Sequence, residues 1–198
     1  MEIAVIGTGR IGTAVGTALA RSGHQVTFGT RQPADGAAAG ESLGATVADI
    51  AGAIGGATVV IVAIPAAAVD EFAAANGAAL AGKLVIDATN RMGADVNNSQ
   101  AAYTEHGPGA RYARAFNCLG LEVLLEPTFD GVAADMFFAC EAADRVTVEE
   151  VVAGVGLRPV YVGADPGIVD GVFRLWIALA MGQDRGRHLG FRTLERAG

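Results

Sequence analysis

The sequence predicts an α/β fold built on a doubly wound, mainly parallel sheet. Three observations carry this. Short β-branched runs alternate with alanine-rich stretches, most of the runs are apolar throughout, and a glycine-rich turn joins the first run to the first helix. Alternation of this kind marks βαβ units, and strands apolar on both faces belong in a sheet covered on both sides. With 198 residues the chain has room for one substantial core but not for two ordinary domains.

Strands are expected at Glu2 to Ile6, Gln25 to Phe28, Ala45 to Val47, Thr58 to Ile64, Leu84 to Asp87 and Tyr112 to Phe116. Helices are expected at Ile11 to Ser22, Val47 to Ile54, Ala67 to Ala74 and around Asn97 to Thr104, where alanine favours the helical state. After Cys118 the texture changes, with a strand at Met136 to Cys140, a helix at Thr147 to Val155 and a strand at Pro159 to Val162 that extend the same sheet. Asp165-Pro166 offers an N-cap and a first-turn proline for a last helix, with apolar residues running from Ile168 to Met181. A helix apolar nearly all round is buried, so this long apolar helix is expected to be covered in part by a second copy of the chain. The domain reading is a dinucleotide-binding core over residues 1–118. Residues 119–198 are a C-terminal α/β extension of the same domain, supplying the substrate cleft and the dimer contact.

Hydrophobic residues make up 52% of the chain and charged residues 18%, with a formal net charge of -7. That charge argues against nucleic acid or an anionic membrane as a partner. The first residues lack the basic region of a secretory signal, and the apolar stretch Thr58 to Val69 is too short to span a bilayer. A cytoplasmic protein is expected. Cys118 and Cys140 form no C-x-x-C pair and only three histidines accompany them, so neither a disulfide framework nor a metal site is expected.

Gly7-Thr8-Gly9-Arg10-Ile11-Gly12 follows the first strand and opens the first helix, the context the dinucleotide fingerprint of a Rossmann-like fold requires. The first glycine permits the tight turn, the second admits the pyrophosphate, and the third lets helix and strand pack closely. Free N–H groups at the helix start then hold the phosphates. At the end of the second strand an acidic residue would select NAD, but the sequence there is Phe28-Gly29-Thr30-Arg31. A hydroxyl and a planar cation suit a ribose phosphate, so NADP(H) is the expected cofactor.

Ligands of open α/β sheets lie outside the carboxyl ends of the strands. Ala63-Ile64-Pro65, Asp87 to Arg91 and Phe116-Asn117-Cys118 therefore share one crevice, with Ala63, Ile64 and Pro65 on the cofactor. No nucleophile and base pair emerges, and direct hydride transfer needs none, so no catalytic residue is assigned. The only lysine, Lys83, precedes its strand, and no tyrosine is followed four places on by lysine, so neither a helical-lysine hydroxyacid dehydrogenase nor a Tyr-x-x-x-Lys dehydrogenase fits. Asn90 and Asn117 either hydrogen-bond a carboxamide or second ring, or are turn formers. Arg91 and Arg114 either meet an anionic tail of the second substrate or are solvated. Phe116 and Cys118 are placed beside the substrate, with Cys118 read as a buried small residue more than a reactive thiol.

On Gly7-Thr8-Gly9-Arg10-Ile11-Gly12, Gly29-Thr30-Arg31, Ile64-Pro65, Asp87-Ala88-Thr89-Asn90 and Ala115-Phe116-Asn117, the sequence resembles the NADPH-dependent reductases of coenzyme F420, a deazaflavin. The resemblance implies pyrophosphate contacts from Thr8 to Ile11, the 2′-phosphate on Thr30 and Arg31, and Pro65 near the nicotinamide. It also implies a deazaflavin near Asn90 and Asn117. Two departures stand out: Arg91 replaces a commonly uncharged residue, and Arg114 a frequent lysine. The expected activity is hydride transfer between NADP(H) and coenzyme F420. Reduction of another small acceptor (flavin, quinone, ferric complex or imine) and a non-catalytic NADPH sensor are the other readings.

Overall fold

The first strand, β1 (Glu2–Ile6), has a parallel neighbour on each side, β2 (Gln25–Thr30) and β4 (Val59–Val62), with Ile6 level with Gly29 and Val62. This computed structural model describes residues 1–33, 40 and 44–196. Strand β3 (Thr46–Asp49) pairs with β2 at one margin, and β5 (Leu84–Asp87) and β6 (Arg111–Arg114) continue beyond β4. Then β9 (Asp135–Cys140) adds antiparallel to β6, and β10 (Arg158–Tyr161) adds parallel to β9. The order is β10-β9-β6-β5-β4-β1-β2-β3, with a separate hairpin of β7 (Thr128–Phe129) and β8 (Val132–Ala133). The chain thus runs outward from β1 to β3, then restarts at β4 on the other side. That reversal point is where such sheets bind ligands.

Alternate residues of the strands feed two cores. Ile3, Val5, Ile61 and Ile86 pack under α1 (Arg10–Arg21), α6 (Arg145–Gly154) and α7 (Pro166–Ile177). Ala4, Ile6, Val60, Val62 and Val85 pack under α2 (Ile50–Gly56), α3 (Val69–Leu80) and α4 (Gln100–His106). A short α5 (Leu121–Leu125) lies against α1.

The fold matches the sequence expectation, and the differences are local. Val47 belongs to β3 instead of opening a helix, because Asp49 caps α2 by accepting from the Gly52 N–H at 2.6 Å. Strand β6 stops at Arg114 rather than Phe116, where φ is 64° and the chain leaves the sheet direction. The last helix is corrected more substantially. It is α-helical for 12 residues, continues as a π turn over Ala178–Gly182, and is two-faced rather than apolar all round. Val169, Phe173 and Trp176 face inward while Ile168 and Leu175 are exposed. Its N-cap is as expected: Asp165 accepts from the Gly167 N–H at 2.8 Å.

Candidate functional site

The glycine-rich turn shows three separate uses of the absent Cβ. Gly7 has φ +110°, and a Cβ there would sit 2.5 Å from the Ala63 carbonyl oxygen. A Cβ on Gly12 would collide with the Gly7 carbonyl, so the start of α1 could not press against the turn. A Cβ on Gly9 would meet nothing within 4 Å. That open side is where a pyrophosphate would approach. No side chain caps α1 and no acidic residue stands in its first turn, so the first N–H groups point outward at the positive end of the helix.

A cavity of about 390 Å³ lies at this turn. One wall is Gly7, Thr8 and Gly9; a second is the tip of β2, with Thr30 and Arg31. Ala63, Ile64 and Pro65 form the third, where Pro65 ends the strand direction and leads into the helical turn before α3. The Thr30 hydroxyl oxygen is oriented by accepting from the Gln32 N–H at 3.4 Å. Eight of the residues assigned to the cofactor thus line one space. Arg10 instead borders a groove between α1 and α5 that shares Thr8 and Gly9 with the cavity, and Ile11 and Gly12 line neither. The expected contribution of Arg10 and Ile11 is through backbone amides, and that of Gly12 is the close packing of helix on strand. Sequence reasoning missed the fourth wall: Ile50, Ala68, Glu71, Phe72, Ala75 and Asn76. The signal was the spacing of Ala68, Phe72, Ala75 and Asn76, which puts them on one face of the helix after the fourth strand.

The residues expected at the second substrate are arranged differently. Arg114 is wholly buried, neither solvated nor open to an anionic tail. It lies 3.1 Å from Asp87 and 3.1 Å from Asp170, and donates to the Thr89 carbonyl and, at 3.0 Å, to Asn90 Oδ1. With its amide oxygen turned to the guanidinium, Asn117 accepts from Arg114 Nη2 at 2.9 Å. Asn90 Nδ2 donates to the Asn117 carbonyl at 2.9 Å, and its Oδ1 also accepts from Asn97 Nδ2 at 2.7 Å. The two asparagines therefore hold the turns after β5 and β6 together, which fixes the crevice floor but commits the amide oxygen of Asn90.

Phe116, Asn117 and Cys118 are buried and present no open face to a substrate. Burial also pushes the Cys118 thiol up to about 12, against lesser opposing effects of the Phe137 backbone and Arg114, so no reactive thiolate forms. Arg91 pairs with Asp70 at 3.0 Å and donates to Ser99 Oγ at 3.2 Å, which ties the start of α3 to the loop after β5. The surroundings thus account for Arg91 without a substrate. Among the described residues no group of acidic, histidine and cysteine side chains is arranged to hold a metal, and no helix is long and apolar enough to cross a membrane.

Residues 2–91 match the family described as NADP oxidoreductase, coenzyme F420-dependent. The matched residues include the glycine-rich turn, the β2 tip and Pro65. Among solved structures, the chain is similar to a proposed F420-dependent NADP reductase from Arthrobacter sp. FB24, with TM-score 0.78 and 23% identity over 98% of this chain and all of that one. It is also similar to an imine reductase from Aspergillus terreus solved with NADPH4 and dibenz[c,e]azepine, with TM-score 0.70 and 24% identity over 92% of this chain but 61% of that one. A protein of Sinorhizobium meliloti, SMa0349, aligns over 83% of the chain and 85% of its own length with TM-score 0.70 and 23% identity. These likenesses speak for the fold. No curated protein matches.

Proposed function

We propose that this NADP-dependent oxidoreductase passes hydride between NADP(H) and a deazaflavin of the coenzyme F420 type. The observation that carries the nucleotide side is one cavity with an uncapped helix start on one wall and Thr30 with Arg31 on another, where no carboxylate stands among the described residues. The residues fit the group: Gly9 leaves open space for a pyrophosphate, and the guanidinium at the rim matches a phosphate in charge and shape. NADPH, when bound, supplies a hydride from its reduced ring. The turn amides and Arg31 bind and orient it, while Ala63, Ile64 and Pro65 keep water from the reduced ring. A proton from solvent balances the acceptor's charge, so orientation is the protein's main contribution. The deazaflavin is supported by the family description of residues 2–91. A cyclic imine is the second acceptor to test, because of the likeness to imine reductases.

The experiment follows NADPH absorbance with a deazaflavin, riboflavin, FMN, ferric citrate and a cyclic imine in turn. Oxidation with the deazaflavin alone is expected. Oxidation with another acceptor in its place would overturn the substrate, and no oxidation with any would favour a nucleotide sensor. We also propose that the exposed face of α7, with Ile168 and Leu175, is covered by a second copy of the chain in a homodimer. Sedimentation as a stable monomer would refute this.

A further inference from the structure

We infer that Glu71 and Asn76 on α3 read the 6-amino group of the adenine base, so that the cavity distinguishes an adenine dinucleotide from its hypoxanthine counterpart. This rests on the reading that NADP occupies the cavity.

The geometry is constrained by the nucleotide itself. With the pyrophosphate at Gly9 and the 2′-phosphate at Thr30 and Arg31, the base attached to the same ribose must lie next to the β2 tip and away from the glycine turn. Besides the three walls already described, the cavity is bordered by Ile50 at the start of α2, Ala68 just before α3, and Phe72 and Ala75 along α3. These are apolar and suit the faces of a flat ring. Two polar side chains interrupt them, Glu71 and Asn76.

Both offer acceptors. A carboxylate has no proton to give, and Asn76 commits one of its two amide N–H groups to its own helix, donating to the Phe72 carbonyl at 2.9 Å. That bond turns the amide nitrogen toward the helix and leaves the oxygen, with both lone pairs uncommitted among the described residues, for a ligand. An acceptor-rich rim on an apolar slot complements an exocyclic amino group, which carries two donors. It opposes the 6-oxo group of hypoxanthine, which presents an acceptor to a carboxylate. Glu71 is exposed at the rim, so solvent and salt weaken its repulsion of the phosphates while a direct hydrogen bond to the base survives.

The test titrates the protein with NADPH and with reduced nicotinamide hypoxanthine dinucleotide phosphate, followed by nicotinamide fluorescence. The wild-type chain is expected to bind NADPH about tenfold more tightly, the scale of one charge-assisted hydrogen bond. Glu71→Gln should weaken NADPH and tighten the hypoxanthine analogue, because its amide can donate to the 6-oxo group. Opposite signs for two ligands differing at one position are not produced by a general loosening of α3. Asn76→Asp keeps the acceptor and should keep the preference, while Asn76→Ala should reduce it. Wild-type protein that fails to bind NADPH would overturn the cavity reading and this one with it. Normal NADPH binding with no preference between the two ligands, or a Glu71→Gln change that weakens both equally, would overturn the base reading alone.

Discussion

The guanidinium of Arg114 lies 3.1 Å from the carboxylate of Asp170, a residue 56 positions away in sequence, and the Arg114 side chain has no exposed surface. Asp87, also fully buried, stands 3.1 Å from the same guanidinium. Other partners satisfy the remaining oxygens. Asp170 Oδ2 accepts from Asn98 N–H and Nδ2, and Asp87 accepts from Thr89, Ser99 and the Tyr112 hydroxyl. Burying charge is costly unless it is paired and hydrogen-bonded, and this cluster is both. It joins α7 to the ends of β5 and β6.

Asp170→Ala should therefore destabilise the protein by about 3 to 5 kcal/mol, because it breaks a buried pair without removing the cation. Denaturant unfolding measures this. A loss below about 1 kcal/mol, the scale of an exposed pair, would show that the cluster is not the tie described.

Gly9 and Gly12 should separate binding from folding. Gly9→Ala meets open space in the protein, so its unfolding transition should stay within about 1 kcal/mol of wild type, the helix propensity scale, while NADPH affinity falls at least tenfold. Gly12→Ala drives a Cβ into the Gly7 carbonyl and should lose stability by about 1 to 3 kcal/mol as well as binding. Equal stability of the two variants would contradict the assignment.

Arg31→Ala should raise the Michaelis constant for NADPH by roughly 10- to 100-fold, the worth of a charge-assisted bond, and leave that for NADH nearly unchanged. Equal changes for both would remove the phosphate from Arg31.

Cys118 should resist iodoacetamide in the native protein at mildly alkaline pH and react once the chain is unfolded. Burial both blocks access and pushes the thiol up to about 12. Peptide mass spectrometry reads the outcome, and rapid native labelling at Cys118 would place that residue in the open crevice after all.

Asp135 ties the C-terminal segment to β9. Burial alone would raise its carboxyl, but hydrogen bonds from Arg158 and from the Thr193 N–H and hydroxyl outweigh that and hold it below the ordinary range. A depressed folded value contributes stability at pH above the unfolded value, and that contribution is lost as pH falls through the folded one. The stability gap between wild type and Asp135→Asn should accordingly be full at neutral pH and close in strong acid. A gap independent of pH would contradict the sign.

The cavity at the glycine-rich turn was legible because its determinants are local: six consecutive residues at one strand tip and two at the next. Arg114 was not, since a strand-edge arginine looks solvated until Asp170 is brought beside it. An aspartate among the apolar residues of the last helix was the available hint. Phe116, Asn117 and Cys118 were correctly placed after β6. Their inward direction was hidden, because it follows from the left-handed backbone at Phe116 and from Met136, whose sulfur accepts the Phe116 N–H at 3.3 Å.

The register of β9 has an architectural consequence. Ala139 and Cys140 pair with Arg114 and Ala113, so the earlier residues of β9 run on past the tip of β6. The flank beside the turn after β6 is therefore furnished by the second part of the chain, and the cavity at the glycine-rich turn by the first. A replacement for the second part would have to bring its own carboxylate to Arg114, as Asp170 does now, so the two parts of the chain are constrained to change together.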